Sequence, residues 1–171
     1  MKLCTRTTFD LPSADQFVAI VYRYERAALE GASLLNLKIL AKIMRGQASE
    51  GSVFSSEFNE FAEVIATLKT KEIVYLGTLI RFHKEKTLVP IEIGNEFYGI
   101  DQSVGILMSK ELIGTTHFPE SRDLASCEAS LQRTAFIYPS LRLMSGETIF
   151  SPTSDLERLA DLVEFEELFE E

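Results

Sequence analysis

The sequence predicts a mainly α protein: an N-terminal helical group followed by a degenerate winged-helix-like unit with two small β-hairpins. Three observations carry that expectation. Four stretches between Ala14 and Lys84 space apolar residues three and four apart, the mark of helices with one buried face. After Leu88 the period shortens, with β-branched and aromatic residues on either side of Gly94-Asn95. The stretch SLQRTAFIYPSLRLMSGETIFS, Ser130 to Ser151, reads as a helix end running into a tight hairpin.

The first helix is expected over 14–29, with Phe17, Ile20, Val21, Tyr24 and Ala28 inward and Ser13 as its cap. LLNLKILAKIM continues the pattern after Gly31 through Leu34, Leu37, Leu40, Ile43 and Met44, and Gly46 reads as its stop. Its other face carries a basic stripe, Lys38, Lys42 and Arg45. QASEGSVFSS reads as a loop, and a third helix over 57–68 offers Phe58, Phe61, Ile65 and Leu68. Thr70 is placed to cap a fourth, with Ile73, Leu76, Leu79 and Ile80 on one side. A hairpin follows around Gly94-Asn95, then a short helix over 103–114 and a loop, TTHFPES.

The next helix is expected over 122–137 with Leu124, Cys127, Leu131 and Ala135 inward. Leu141–Leu143 and Thr148–Phe150 flank MSGE as a second hairpin with Gly146 at the turn. Thr153 or Ser154 opens a last helix, with Leu156, Leu159, Leu162 and Val163 apolar and Asp155 and Glu157 near its positive end. The organisation expected is a helical region over 1–84 and a hairpin-bearing region over 85–171, two parts of what one continuous domain could hold.

Composition narrows the function. At 46% hydrophobic and 25% charged residues over 171 positions, the chain has the usage of a globular domain with a real core. MKLCTRTTFD lacks the apolar core of a signal peptide, and no run reaches the roughly 18 apolar residues of a membrane span, so the expected location is the cytoplasm, off the membrane. The net charge of -9 argues against a nucleic-acid partner, yet it is uneven: the last 21 residues carry one Arg and eight acidic residues.

SLQRTAFI with ETIFSPTSDLERLADLV, and the block running from KIMRG through FNEFAEVIATLKTKEIVYLGTL, together resemble the abortive-infection alpha type of bacterial protein. That resemblance implies a closing winged-helix unit and a phage-defence or mobile-element setting, and implies no reaction.

Three function classes follow. The leading one is a non-enzymatic interaction protein, binding a protein partner or a second copy. The acidic tail would carry it, with Phe165, Leu168 and Phe169 as anchors and Glu166 and Glu167 steering a basic surface. A winged-helix DNA-binding regulator is the alternative, using Lys38, Lys42, Arg45, Gln132, Arg133 and Arg142 against phosphates and base edges. An enzyme working through His117, Glu120 and Cys127 is a further alternative. With two histidines, two cysteines and no phosphate-binding glycine loop, the sequence offers no catalytic constellation, metal set or cofactor motif.

Overall fold

The computed structural model of the chain describes residues 14–50, 54–85, 91–93, 96–98, 100–142, 148–165 and 168. It is mainly helical, as the periodicity predicts, with two antiparallel hairpins: α1 (Ala14–Leu29), α2 (Leu34–Ser49), α3 (Ser55–Ile65), α4 (Thr70–Glu85), β1 (Ile91–Ile93), β2 (Glu96–Tyr98), α5 (Ile100–Leu112), α6 (Ser121–Leu131), β3 (Ile137–Arg142), β4 (Thr148–Pro152) and α7 (Ser154–Leu162). The Ser13 cap, the Gly94-Asn95 and Gly146 turns, and Cys4 lie outside the described residues. Among the described residues no helix is long and apolar enough to cross a membrane.

Two compact units make up the chain, Met1–Leu68 with Asp161–Glu171, and Lys69–Ala160. The first division thus falls before α4 rather than after Lys84. The reason is packing, because α4 lies against α5, α6 and β4.

In the first unit α1 packs on α3 and α2, burying Ile20, Ala27, Ile39, Leu40, Ile43, Phe58, Phe61 and Ile65. Ser33 caps α2: its hydroxyl accepts from the Asn36 N–H at 3.2 Å. The buried Asn36 amide in turn donates to the Ala66 and Leu68 carbonyls at 3.1 and 3.0 Å, so one side chain closes the end of α3 where the expected helix ran on to Leu68. Gly46 does not end α2, which continues to Ser49. A Cβ built on Gly46 would sit 2.6 Å from the Leu162 carbonyl oxygen, so the glycine marks a close backbone approach inside a helix. Two further expectations are corrected: Leu34 is exposed, and in α1 the expected inward residues Phe17 and Ala28 face out.

In the second unit α4 buries Ile73, Tyr75, Leu76, Leu79 and Ile80, and α6 buries Leu124, Cys127 and Leu131. Helix α5 starts at Ile100, earlier than expected, and Gly105 lets it close on β4, where a Cβ would meet the Ile149 side chain at 2.9 Å. Helix α6 ends six residues before the expected Ile137. A 3₁₀ turn, Gln132–Thr134, follows it, and Ala135 then takes a left-handed φ of 56° and is exposed rather than inward. β3 pairs with β4 from Ile137↔Pro152 to Arg142↔Thr148, with an irregularity between Pro139 and Leu141, beside the residue that lacks an N–H to donate. In the first hairpin Ile91 pairs with Tyr98, Glu92 with Phe97 and Ile93 with Glu96. Thr153 starts α7: its hydroxyl accepts from the Leu156 N–H at 3.4 Å and donates to the Ala135 carbonyl at 2.9 Å.

Candidate functional site

Two surfaces stand out, one in each unit. In the first, α1 is apolar on opposite sides. At 3.6 residues per turn Val18, Tyr22 and Leu29 fall within about 40° of one another and roughly opposite the buried Ile20 and Ala27. They are exposed by 64, 64 and 89%, and Phe17, at one side of them, by 58%. Single exposed apolar residues are ordinary, whereas several on one side of a helix make a candidate interaction surface, here interrupted between Tyr22 and Leu29 by the exposed Glu25. Asp15 and the exposed Arg26–Glu30 pair border it.

In the second unit a cavity of about 780 Å³ lies between α5 and α6, floored by the buried Met108, Leu124, Ile149 and Phe150. Its polar lining includes Lys110, Arg122 and Gln132 and a hydrogen-bonded pair, in which the buried Tyr75 hydroxyl donates to the half-buried Glu128 carboxylate at 3.1 Å. Burial, and then the charge of Glu128 and that bond, push the Tyr75 phenol well above its ordinary value.

Beside the cavity α4 and α6 are tied through a buried carboxylate. Glu72, on the apolar side of α4, accepts from Arg133 Nη1 at 2.8 Å and Nη2 at 3.1 Å. The Ser130 hydroxyl donates to it at 2.7 Å and the Lys69 N–H at 2.8 Å. Burial alone would raise this carboxyl; the bonds from Arg133, Lys69 and Ser130 outweigh it and bring the pKa from 4.5 to about 2.

The residues singled out from sequence fare as follows. In the tail, Phe165 and Leu168 are not presented to solvent: they are 6 and 7% exposed. Glu166, Glu167 and Phe169 lie outside the described residues. Of the basic set, Lys38 and Lys42 are half-buried and Arg45 is exposed on α2, while Arg133 is partly exposed and paired with the buried Glu72. Gln132 is exposed, and the Arg142 side chain is outside what is described. Lys38, Lys42 and Arg45 belong to the first unit and Gln132, Arg133 and Arg142 to the second.

The enzyme set is not assembled either. His117 is exposed in the loop after α5, and Glu120 is exposed and joined to Arg122 at 3.0 Å. Cys127 is buried against α4, its thiol near the Lys71 carbonyl at 3.8 Å, and burial followed by the Glu72 charge pushes it up to about 12, far from a thiolate at neutral pH. Among the described residues no group of three His, Cys, Asp or Glu side chains is placed to hold a metal ion.

Glu72 and Glu128 were legible as anomalies. Each is a carboxylate on its helix's apolar stripe, Glu72 with Leu76 and Leu79, Glu128 with Leu124 and Leu131. A charge on a core stripe announces a buried partner. No family model, no curated protein and no solved structure matches the chain.

Proposed function

We propose that this chain is a non-enzymatic interaction protein that engages a protein partner, or a second copy of itself, through the outer stripe of α1. The observation that carries the reading is the two-sided apolar character of that helix, with Val18, Tyr22 and Leu29 opposite the buried Ile20 and Ala27. One side satisfies α2 and α3; the other has the spacing by which amphipathic helices dock. The tail anchors proposed on sequence grounds yield this role to α1, because Phe165 and Leu168 are already buried.

The order α5, α6, β3, β4 supports reading the second unit as winged-helix-like. Its use as scaffold rather than DNA reader is supported by Arg133, whose guanidinium, though partly exposed, is paired with the Glu72 carboxylate. The cytoplasmic location and the defence or mobile-element setting rest on the sequence reading alone.

The experiment is site-directed photocrosslinking in cells. A benzophenone amino acid at Tyr22 is expected to capture a discrete protein, whereas the same group at the exposed Glu63 of α3 captures none. Equal labelling from both positions, or none from Tyr22, refutes the reading.

A further inference from the structure

The outer stripe of α1 carries a charge in its middle. At 3.6 residues per turn Val18, Tyr22, Glu25 and Leu29 fall within about 60° of one another, on one side of the helix through about three turns. All four are exposed. A purely apolar groove would take up the three apolar side chains and bury the carboxylate without a donor, a cost that offsets much of the contact. The surface that fits this stripe therefore has apolar residues toward both ends and a hydrogen-bond donor near the centre.

The same four residues supply that surface when reversed. Val18 and Leu29 lie about 8 Å either side of a point between Arg23 and Tyr24, and Tyr22 and Glu25 about 2 Å either side of the same point. When a second α1 runs antiparallel about a two-fold axis through that point, Val18 comes level with Leu29 of the second copy and Tyr22 with its Glu25. Each contact then occurs twice, as a two-fold interface requires. The Tyr22 phenol donates to the carboxylate that an apolar groove would strand, and a bond to an ionised acceptor is among the stronger ones. At the side of the stripe, Phe17 of one copy falls within about 3 Å along the axis of Ala28 of the other, a large side chain level with a small one. Phe17 and Ala28 are both exposed in the single chain.

Two effects keep the pairing weak. The Glu25 carboxylates approach each other near the axis, and each chain carries a net charge of -9. A single helix face is also small beside the roughly 1,600 Å² of stable complexes.

Resting on the reading of α1 as an interaction surface, we propose that its occupant is a second copy of this chain, packed antiparallel with Val18 on Leu29 and Tyr22 on Glu25.

The test is sedimentation of the purified full chain over a concentration series reaching about 1 mM, where reversible dimers are expected with a dissociation constant between about 1 µM and 1 mM, as suits a small interface. Val18→Lys and Leu29→Glu, at positions 64 and 89% exposed, should each leave the thermal midpoint unchanged. Each sets a charge against an apolar side chain and is expected to weaken association at least about ten-fold. Combined in one chain they face each other across the axis with opposite signs, so the double variant is expected to recover most of the loss. Mixing the two single variants should likewise give a heterodimer tighter than either homodimer. A chain that stays monomeric at about 1 mM overturns the proposal, as does a double variant no stronger than the single ones. Failure of this pairing is separable from failure of the α1 reading. A monomeric chain whose Tyr22 position photocrosslinks a different protein in cells removes the second copy and keeps α1, whereas crosslinking to nothing removes both.

Discussion

Arg133 grips the buried carboxylate of Glu72 with both guanidinium Nη atoms, at 2.8 and 3.1 Å, and so joins the turn after α6 to the start of α4. A buried ion pair of this kind is weak evidence of net stability, but breaking it by removing one partner leaves an uncompensated charge. Arg133→Ala is therefore expected to destabilise the second unit by about 3 kcal/mol, the lower end of the range for buried pairs, because the guanidinium is partly exposed and water can enter. Ser130→Ala, which removes one of several donors, should cost about 1 kcal/mol. Chemical denaturation of the two variants checks both, and equal costs would show that the arginine is not the main partner.

The same carboxylate sets an acid limb. Its folded pKa, about 2, lies below its ordinary 4.5, so its contribution is complete above 4.5 and is lost as pH falls from there toward 2. The stake is on the order of 3 kcal/mol. Unfolding free energy measured between pH 6 and pH 2.5 should fall steeply in the wild type and less steeply in Glu72→Gln. Parallel slopes would assign the acid sensitivity to other groups.

Ala135 holds a left-handed φ of 56° between the 3₁₀ turn and β3, where a side chain brings a cost that glycine does not have. It is exposed, so little packing is lost on shortening it. Ala135→Gly is expected to raise stability by up to about 1 kcal/mol, read as a higher thermal midpoint. A lower midpoint would mean that the added freedom of the unfolded chain outweighs the relieved strain.

Gly46 gives the opposite result. Helix propensity alone would favour Gly46→Ala by roughly 1 kcal/mol. The new methyl would instead meet the Leu162 carbonyl oxygen at 2.6 Å and Leu162 Cα at 2.9 Å, both backbone atoms that cannot swing aside. A net loss of about 1–3 kcal/mol is expected, as for other overpacked sites. Stabilisation by this substitution would contradict the close approach.

Much of this architecture was legible in the spacing of apolar residues. The stripes of α3, α4, α6 and α7 are buried where the 3.6-residue period puts them, because each of these helices has one apolar side. In α1 Phe17 and Ala28 are exposed where periodicity puts them inward, since the helix carries apolar residues on both sides and periodicity cannot choose between them. Gly46 looked like a stop because a helical glycine and a C-terminal glycine are the same letter; only the position of Leu162 tells them apart. In the tail, the alternation of Phe and Leu with Glu suggested anchors held out to a partner, while Phe165 and Leu168 turned inward. The candidate sites were less legible: pairings such as Glu72 with Arg133 and Tyr75 with Glu128 join residues more than 50 positions apart.

The central claim is that the outer stripe of α1 is an interaction surface, and affinity capture with a double substitution there tests it most directly. Val18→Glu with Tyr22→Glu changes two residues that are each 64% exposed, so the thermal midpoint should stay within a degree or so of wild type, as for surface changes generally. The partner captured by the wild-type chain, or its self-association in sedimentation, is expected to be lost in this folded variant. Retention of the same partner and the same sedimentation behaviour by the folded double variant would contradict the central claim.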